Sequence, residues 1–214
     1  MVTEFQINEI VNKIVADMRA EPAVGQEITV GVSQRHVHLS REHLDVLFGG
    51  GYELTVQKPL MGREFASNEL VTLVGPSLRA IEKVRVLGPV RANTQVEISR
   101  TDTFLLKLSP PVRPSGEIKG SASIVIVGPK GTVFLKEGVI IANRHIHVTP
   151  AFAAENGIRD NDCVDVEVAG VKPTRFYDAQ VRVREDFNVE MHIDTDDANA
   201  AGIKNGDKVR IIRK

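Results

Sequence analysis

The sequence has no tryptophan, few aromatic residues and one cysteine, Cys163, among its 214 residues. A single cysteine excludes an intramolecular disulfide and fits a reducing compartment, and its place in an alternating apolar run predicts a packed thiol. No stretch approaches the roughly 18 consecutive apolar residues of a membrane span, and the N-terminus lacks the apolar region of a secretory signal. The formal net charge is −1, so bulk charge does not favour nucleic acid or a membrane surface. We therefore expect an intracellular protein that binds neither nucleic acid nor membrane.

Histidine is the residue type whose placement is most informative. Residues 34–40 read QRHVHLS and residues 143–149 read NRHIHVT, so two copies of one phrase hold four of the six histidines. Side chains two positions apart on a strand leave the same face, and both imidazoles of each phrase can therefore reach one ion. Zinc fits such ligands, and a catalytic zinc keeps three protein ligands and one open position. The alternative is a pair of alternating strands with solvent-facing histidines. The paired histidines are His36 with His38 and His145 with His147.

The third ligands are predicted from a further repeat. Each half contains a Val-Arg-Val strand, at residues 84–86 and 181–183, followed by a Val-Glu segment that ends in Thr-Asp. These segments offer Glu97 and His192. The sequence thus predicts one set of two histidines and a carboxylate and a second set of three histidines, each with an open position. For Glu97, a surface carboxylate in an ion pair is the alternative. The two sets are His36, His38 and Glu97, and His145, His147 and His192.

The N-terminal residues predict a helix that differs from the rest of the chain. Apolar residues between positions 7 and 18 recur with helical spacing, Thr3 and Gln6 form a capping box, and Pro22 and Gly25 mark a linker. Such a helix can fold back on the core or dock on another protein.

Beyond Gly25, short apolar runs separated by glycine and proline predict a mainly β fold of small barrels capped by short helices. Helices are expected after each histidine phrase, at residues 40–47 and 150–156, and again near residues 197–201. The predicted strands are residues 28–32, 71–75, 83–90, 95–99, 123–128, 132–135, 163–168, 179–183 and 208–212.

Anion recognition is spread along the chain, because no phosphate-binding loop or dinucleotide fingerprint is present. Basic residues cluster instead near the turns, where guanidinium groups could hold a phosphorylated ligand. Arg91 and Arg100 rank first because they flank the predicted Glu97 strand. The other candidates are Lys58, Arg63, Arg85, Arg113 and Lys119.

Five phrases together resemble the phosphate propanoyltransferases, a family of phosphotransacylases. They are SQRHVHLS at 33–40, LGPVR at 87–91, VEISRTD at 96–102, NRHIH at 143–147 and EMHIDTDDANAAG at 190–202. The resemblance implies two small β-barrels capped by short α-helices, with strand exchange between them and an N-terminal amphipathic helix. Residues 25–34 with 143–214 would form one barrel and residues 35–142 the other, and residues 1–22 would be a targeting-type helix and linker.

The resemblance also implies particular site residues. It places one zinc ion at each of the two ligand sets described above, and Arg91 falls at the position of the catalytic arginine. Arg91 and Ser115 would contact phosphate. Positions that contact coenzyme A fall on Ser33, Lys58, Arg85, Leu87, His192 and Asn199.

The activity that the resemblance implies is reversible transfer of a short acyl group, propanoyl or acetyl, from acyl-coenzyme A to inorganic phosphate. No protein nucleophile is expected, since neither Ser33 nor Cys163 has a base partner in the sequence. Residues 1–22 would dock on shell or cargo proteins of a bacterial microcompartment, which places the protein in the compartment lumen, and otherwise in the cytoplasm, with a role in propanediol degradation. A homo-oligomer is expected.

Three other functions fit parts of the pattern. A metal-dependent hydrolase, such as a thioesterase, would use zinc-bound water, but Ser40 and Thr149 stand where its usual aspartate would follow the histidines. A cupin-like metal-binding barrel could use Glu42 after the first phrase, whereas Phe152 occupies the matching position in the second. A structural zinc protein would not need open coordination positions.

Overall fold

Residues 25–212 are described by the structure, a computed structural model of the chain. The predicted helix near residues 7–18 lies outside the described residues. Among the residues described, no helix is long and apolar enough to cross a membrane.

Fourteen strands and four short helices account for residues 27–212. The strands are β1 (Glu27–Ser33), β2 (His36–Ser40), β3 (Val56–Pro59), β4 (Phe65–Val74), β5 (Ala80–Arg91), β6 (Gln95–Glu97), β7 (Val112–Arg113), β8 (Ala122–Val127), β9 (Thr132–Ala142), β10 (His145–Val148), β11 (Cys163–Val168), β12 (Thr174–Val183), β13 (Glu190–Asp194) and β14 (Lys208–Ile212). The helices are α1 (Arg41–Phe48), α2 (Arg100–Leu106), α3 (Pro150–Asn156) and α4 (Thr195–Ala201).

These strands close into two barrels of six, which confirms the predicted fold class. One barrel has the order β1-β13-β10-β12-β11-β14, and β14 returns to β1. The other has the order β4-β5-β2-β6-β9-β8, and β8 returns to β4, while β3 and β7 extend its edges. Closure leaves neither ring with an open edge at the six strands that form it.

The two barrels repeat one pairing pattern. In the first half of the chain β2 pairs in parallel with β5 and antiparallel with β6, and in the second half β10 pairs in the same way with β12 and β13. The first strand of each half crosses to the other barrel: β1 lies parallel to β13, and β9 lies parallel to β6. The strands are therefore exchanged between barrels, and the division of the chain into domains at residues 34/35 and 142/143 stays a prediction.

Each barrel has its own apolar core, and strand alternation places the histidines outside it. Val37 and Leu39 of β2 are fully buried in one core, and Ile146 and Val148 of β10 are fully buried in the other. Because neighbouring residues of a strand face opposite sides, the histidines of both phrases point away from the cores.

The helices begin where side chains cap them. Ser40 and Thr149 accept backbone N–H bonds at the starts of α1 and α3, as their sequence positions predict. Helix α2 was not predicted, although Ser99 and Asp102 form a reciprocal capping box at its start. The expectation of a packed thiol was wrong, because Cys163 is exposed at the beginning of β11.

Candidate metal centre and active site

The structure groups the six predicted ligands into two clusters. Within each cluster the candidate donor atoms lie within 4.8 Å of one another. Strand register produces both groups, because His36 lies directly opposite Glu97 and His145 lies directly opposite His192. The clusters are His36, His38 and Glu97 on β2 and β6, and His145, His147 and His192 on β10 and β13.

Hydrogen bonds orient the first histidine of each pair. The Nδ1 atom of His36 lies 2.8 Å from the carbonyl oxygen of Gln34, and Nδ1 of His145 lies 2.9 Å from that of Asn143. A carbonyl can only accept, so Nδ1–H donates in both cases, and Nε2 of each ring is left for a metal.

The second histidine of each pair has a buried nitrogen that has no hydrogen-bond partner among the described residues. These atoms are Nδ1 of His38 and Nδ1 of His147. Buried polar atoms normally have hydrogen-bond partners, so two orphaned nitrogens at matching positions indicate that another group completes each site. A zinc ion, which takes imidazole nitrogens and carboxylate oxygens, fits both donor sets.

The surroundings keep most of these ligands in their metal-binding form. Burial lowers the pKa of His38 and of His147 to about 2, and neighbouring histidines act in the same direction. Burial also lowers the pKa of His145 to about 4. Burial raises the pKa of Glu97, but the neighbouring His36 outweighs that effect and holds it well below its usual range. Conversely, Glu97 outweighs burial at His36 and raises its pKa. Neutral imidazole and ionised carboxylate are the forms that bind zinc.

A cavity of about 30 Å³ lies between the barrels and joins the two clusters. His36 and Glu97 line it from one barrel, and His145 and His192 line it from the other. The two sets are close enough for the Glu97 carboxylate to act on the pKa of His145. A small group bound here would contact residues of both sets.

Arg91 is linked to the first cluster by a chain of hydrogen bonds. Its Nη1 atom donates to Ser115 Oγ at 3.3 Å, and its Nη2 atom donates to Glu64 Oε1 at 2.5 Å. Gln95 Nε2 donates to the same Ser115 oxygen at 2.9 Å and to Glu97 Oε1 at 2.6 Å. The two predicted phosphate contacts, Arg91 and Ser115, therefore lie together and connect to Glu97, a candidate metal ligand.

The residues predicted to contact coenzyme A are more scattered. Ser33 and His192 line the cavity. Leu87 lies opposite His38 in the sheet, and Arg85 on the same strand donates to the carbonyl oxygen of Ser67 at 2.7 Å. Neither these two residues nor Lys58 and Asn199 line the cavity. Lys58 is exposed on β3, and Asn199 is exposed on α4.

Two arginine–aspartate pairs beside the ligand clusters were missed from the sequence. Arg35 Nε lies 2.9 Å from both carboxylate oxygens of Asp102, and Arg144 binds Asp197 through Nε and Nη2 at 2.9 and 2.8 Å. Each arginine directly precedes a histidine pair, and each aspartate belongs to the first turn of the helix after the third ligand. These ion pairs connect the start of β2 to α2 and the start of β10 to α4. The matching Arg-His phrases indicated the two arginines, but the Thr-Asp phrase of the second half ends at Asp196, one residue before Asp197.

Gln95 and Glu190 were also missed as site residues. Each stands two positions before a third ligand, on the same side of its strand. Gln95 contacts Glu97, and Glu190 Oε2 lies 2.9 Å from His192 Nε2. Nothing in the residue types alone distinguished them from ordinary strand residues.

Comparison with known proteins gives consistent matches. Residues 29–204 match the model of the phosphate propanoyltransferase family. A phosphate propanoyltransferase of Thermotoga maritima is 53% identical over 214 residues, covering 99% of each chain. One of Lachnoclostridium phytofermentans is 51% identical over 207 residues, covering 95% of this chain and 97% of the relative. One of Listeria monocytogenes is 42% identical and covers 97% of both chains.

Proposed function

The chain belongs to the phosphate propanoyltransferase family, and on that premise we propose that it is a zinc-dependent phosphate acyltransferase with two metal ions. The reaction moves a short acyl group, propanoyl or acetyl, between coenzyme A and inorganic phosphate. In the forward direction a phosphate oxygen forms a bond to the acyl carbon, the carbon–sulfur bond breaks, and the proton of hydrogen phosphate ends on the coenzyme A thiol.

The metal ions would be held by the two clusters at the barrel interface. His36, His38 and Glu97 would hold one ion, and the three histidines of the other cluster would hold the second. When bound, zinc supplies Lewis acidity, which stabilises charge on the thioester oxygen, the departing sulfur or the phosphate. The unpartnered Nδ1 atoms of His38 and His147 support this assignment.

Arg91 and Ser115 would hold the phosphate. The guanidinium group can offer two N–H donors to phosphate oxygens in a fixed geometry, and the Ser115 hydroxyl lies beside it. Gln95 ties Ser115 to Glu97, so the phosphate contacts are held in a fixed position relative to the first ligand cluster. Phosphate bound in this way would be held near the first metal ion, and such positioning is what the transfer needs.

Coenzyme A would lie along the β5 side of the same site. Ser33 and His192 line the cavity where its sulfur would be, while Arg85 and Leu87 extend along β5. Lys58 and Asn199, both exposed, would contact the outer part of this long substrate. The amino group of Lys58 suits a phosphate of the nucleotide end.

The observation that carries the proposal is the meeting of both ligand clusters at one cavity, with the Arg91 and Ser115 pair connected to Glu97. A structural zinc site would not need a basic phosphate contact, and a single hydrolytic zinc would not need two adjacent clusters. Both features suit a reaction that brings two charged substrates together.

The test is release of free thiol from propanoyl-coenzyme A, measured with and without phosphate on zinc-loaded and chelator-stripped protein. We expect release that requires both phosphate and zinc, with acyl phosphate formed in equal amount. Release without phosphate would identify a hydrolase, and no release under any condition would overturn the proposal.

A matched pair of variants tests the phosphate site. We expect Arg91→Ala to lower kcat by about 100- to 1000-fold, as loss of a group that stabilises charge in the transition state does. Arg113→Ala serves as the control, because Arg113 donates to the carbonyl oxygen of Lys119 rather than to Ser115. Unchanged turnover and unchanged phosphate saturation in Arg91→Ala would refute the role of Arg91.

We also propose that residues 1–22 attach the enzyme to shell or cargo proteins of a bacterial microcompartment, where it would serve propanediol degradation as a homo-oligomer. Otherwise it would act in the cytoplasm. The amphipathic spacing of residues 7–18 supports the proposal. A reporter fused to residues 1–22 that stays diffuse in a compartment-forming cell would count against it.

A further inference from the structure

We propose that Gln95 and Glu190 are a matched pair of positioning residues, one beside the third ligand of each metal cluster. Gln95 donates a hydrogen bond to a carboxylate ligand, and Glu190 accepts one from an imidazole ligand. This inference rests on the proposed function, since it takes both clusters to bind metal.

The strand register shows that the two residues occupy equivalent positions. Gln95 lies opposite His38 on the neighbouring strand, and Glu190 lies opposite His147. Each is two residues before the third ligand of its cluster, Glu97 or His192, and so faces the same side of its strand. The duplicated fold has placed a different residue at one site position in each half.

Gln95 has a fixed orientation. Its side chain is only 2% exposed, and its Oε1 atom accepts from the backbone N–H of Gly116 at 2.7 Å. That bond identifies the other terminal atom as the amide nitrogen, which donates to Glu97 Oε1 at 2.6 Å and to Ser115 Oγ at 2.9 Å. One carboxylate oxygen of Glu97 is thereby held by the amide, and Oε2 is left for a metal.

Glu190 contacts His192 but is not part of the ligand group. Its Oε2 atom is 2.9 Å from His192 Nε2, whereas the donor atoms that come within 4.8 Å of one another belong to His145, His147 and His192. With the carboxylate oxygen as acceptor, Nε2–H of His192 is the donor, and the Nδ1 atom of the ring is left for a metal.

Gly31 provides the space for this contact. It lies opposite His192 on β1, and a Cβ atom added there would be 3.0 Å from Glu190 Oε2 and 3.0 Å from His192 Cδ2. Any larger residue would push the carboxylate or the imidazole. The exchanged strand thus leaves room for the pair that orients the third ligand.

The donor and acceptor roles follow the chemistry of each ligand. A ligating carboxylate needs a hydrogen-bond donor to fix its free oxygen, and a ligating imidazole needs an acceptor to fix its tautomer and ring orientation. Gln95 supplies the first, and Glu190 supplies the second. The ligand sets therefore differ between the halves, yet each third ligand, Glu97 or His192, has a hydrogen-bond partner that orients it.

The test is a zinc competition titration against a chromophoric chelator. His36→Ala isolates the three-histidine site, and His145→Ala isolates the other. In the His36→Ala background we expect Glu190→Met to weaken zinc binding by about 10- to 100-fold, with Glu190→Gln in between because its amide oxygen still accepts. In the His145→Ala background Glu190→Met should leave affinity unchanged, and Gln95→Met, which removes the amide that holds Glu97 Oε1, should weaken it by about 10- to 100-fold.

Controls separate this role from folding and from direct ligation. Glu167→Met, an exposed glutamate of the same barrel, should bind zinc as its parent does, and Glu190→Met stripped of metal should unfold at the parent temperature. Affinities within twofold of the parent in both backgrounds would overturn the inference while leaving the two-zinc proposal intact. A changed cobalt spectrum that shows one ligand fewer in Glu190→Met would make Glu190 a ligand and overturn its positioning role. Absence of zinc binding by the wild-type protein would overturn the proposed function itself.

Discussion

Acidification should lower the free energy of unfolding of the metal-free protein far more than protonation of its carboxylates alone would. His38, His145 and His147 have pKa values of about 2, 4 and 2, so all three stay neutral in the folded chain at mildly acidic pH. In the unfolded chain the same side chains titrate near 6.5. Because the unfolded state then binds more protons, the free energy of unfolding falls as pH drops below about 6.5 and is retained above it.

The size of the loss follows from these values. Between about pH 7.5 and pH 5.5, each histidine that stays neutral in the folded state lowers the free energy of unfolding by about 1.4 kcal/mol, so three lower it by about 4 kcal/mol. His36 opposes this, because its raised pKa contributes stability that is present at low pH and is lost as pH rises through the folded value. Its opposition is at most about 1.4 kcal/mol over the same window, which leaves a net loss of about 2.5 to 4 kcal/mol.

The assay is urea unfolding of chelator-stripped protein at the two ends of that window, with circular dichroism as the probe. His147→Asn should reduce the pH-dependent loss by about 1.4 kcal/mol, since one buried neutral histidine is removed. A change below about 1 kcal/mol in the stripped wild-type protein would refute the reasoning, because it would mean that these histidines accept protons in the folded state.

Three further outcomes can be measured. In urea unfolding, Asp102→Asn should lower the free energy of unfolding by about 3 kcal/mol, and Asp197→Asn should lower it by less. The reason is burial, because the Asp102 side chain is 4% exposed and that of Asp197 is 20% exposed. Equal losses in the two variants would contradict this ranking. Glu64→Gln should lower the KM for phosphate severalfold with little change in kcat, since Glu64 occupies the Nη2 atom of Arg91; a higher KM would show that Glu64 holds the arginine in its productive position. Cys163 should react stoichiometrically with a thiol reagent in the native protein, and Cys163→Ser should change the free energy of unfolding by less than about 0.5 kcal/mol; reaction only after unfolding would show that the thiol is covered.

The ligand clusters could be predicted from sequence because their geometry is local. Two histidines separated by one residue share a strand face whatever the rest of the fold does, and a repeated Val-Glu segment pointed to Glu97 and His192. The short strands and the caps at Ser40 and Thr149 were predicted for the same reason, since periodicity and capping depend on neighbouring residues.

The remaining features depend on contacts between distant segments. Arg91 meets Glu64 and Ser115 only because β4, β5 and the loop before β8 come together, and residue types alone did not pair them. The exposed position of Cys163 has a similar cause: an alternating pattern shows that one face of a strand is buried but not where the covered part of the strand begins. Helix α2 was missed although Ser99 and Asp102 form a capping signal. The predicted strand at residues 95–99 includes Ser99, which is the residue that caps the helix.

The exchange of β1 and β9 bears on the origin of the protein. Each half of the chain gives its first strand to the other barrel and keeps its own histidine strand. Two separate copies of a half-length chain that traded their first strands would form the same pair of rings, with two identical metal clusters across a twofold axis. The present chain has the architecture of such a dimer with its two subunits joined end to end. In a joined chain the two ligand sets need not be identical, and here the halves differ at the third candidate ligand, which is Glu97 in one and His192 in the other.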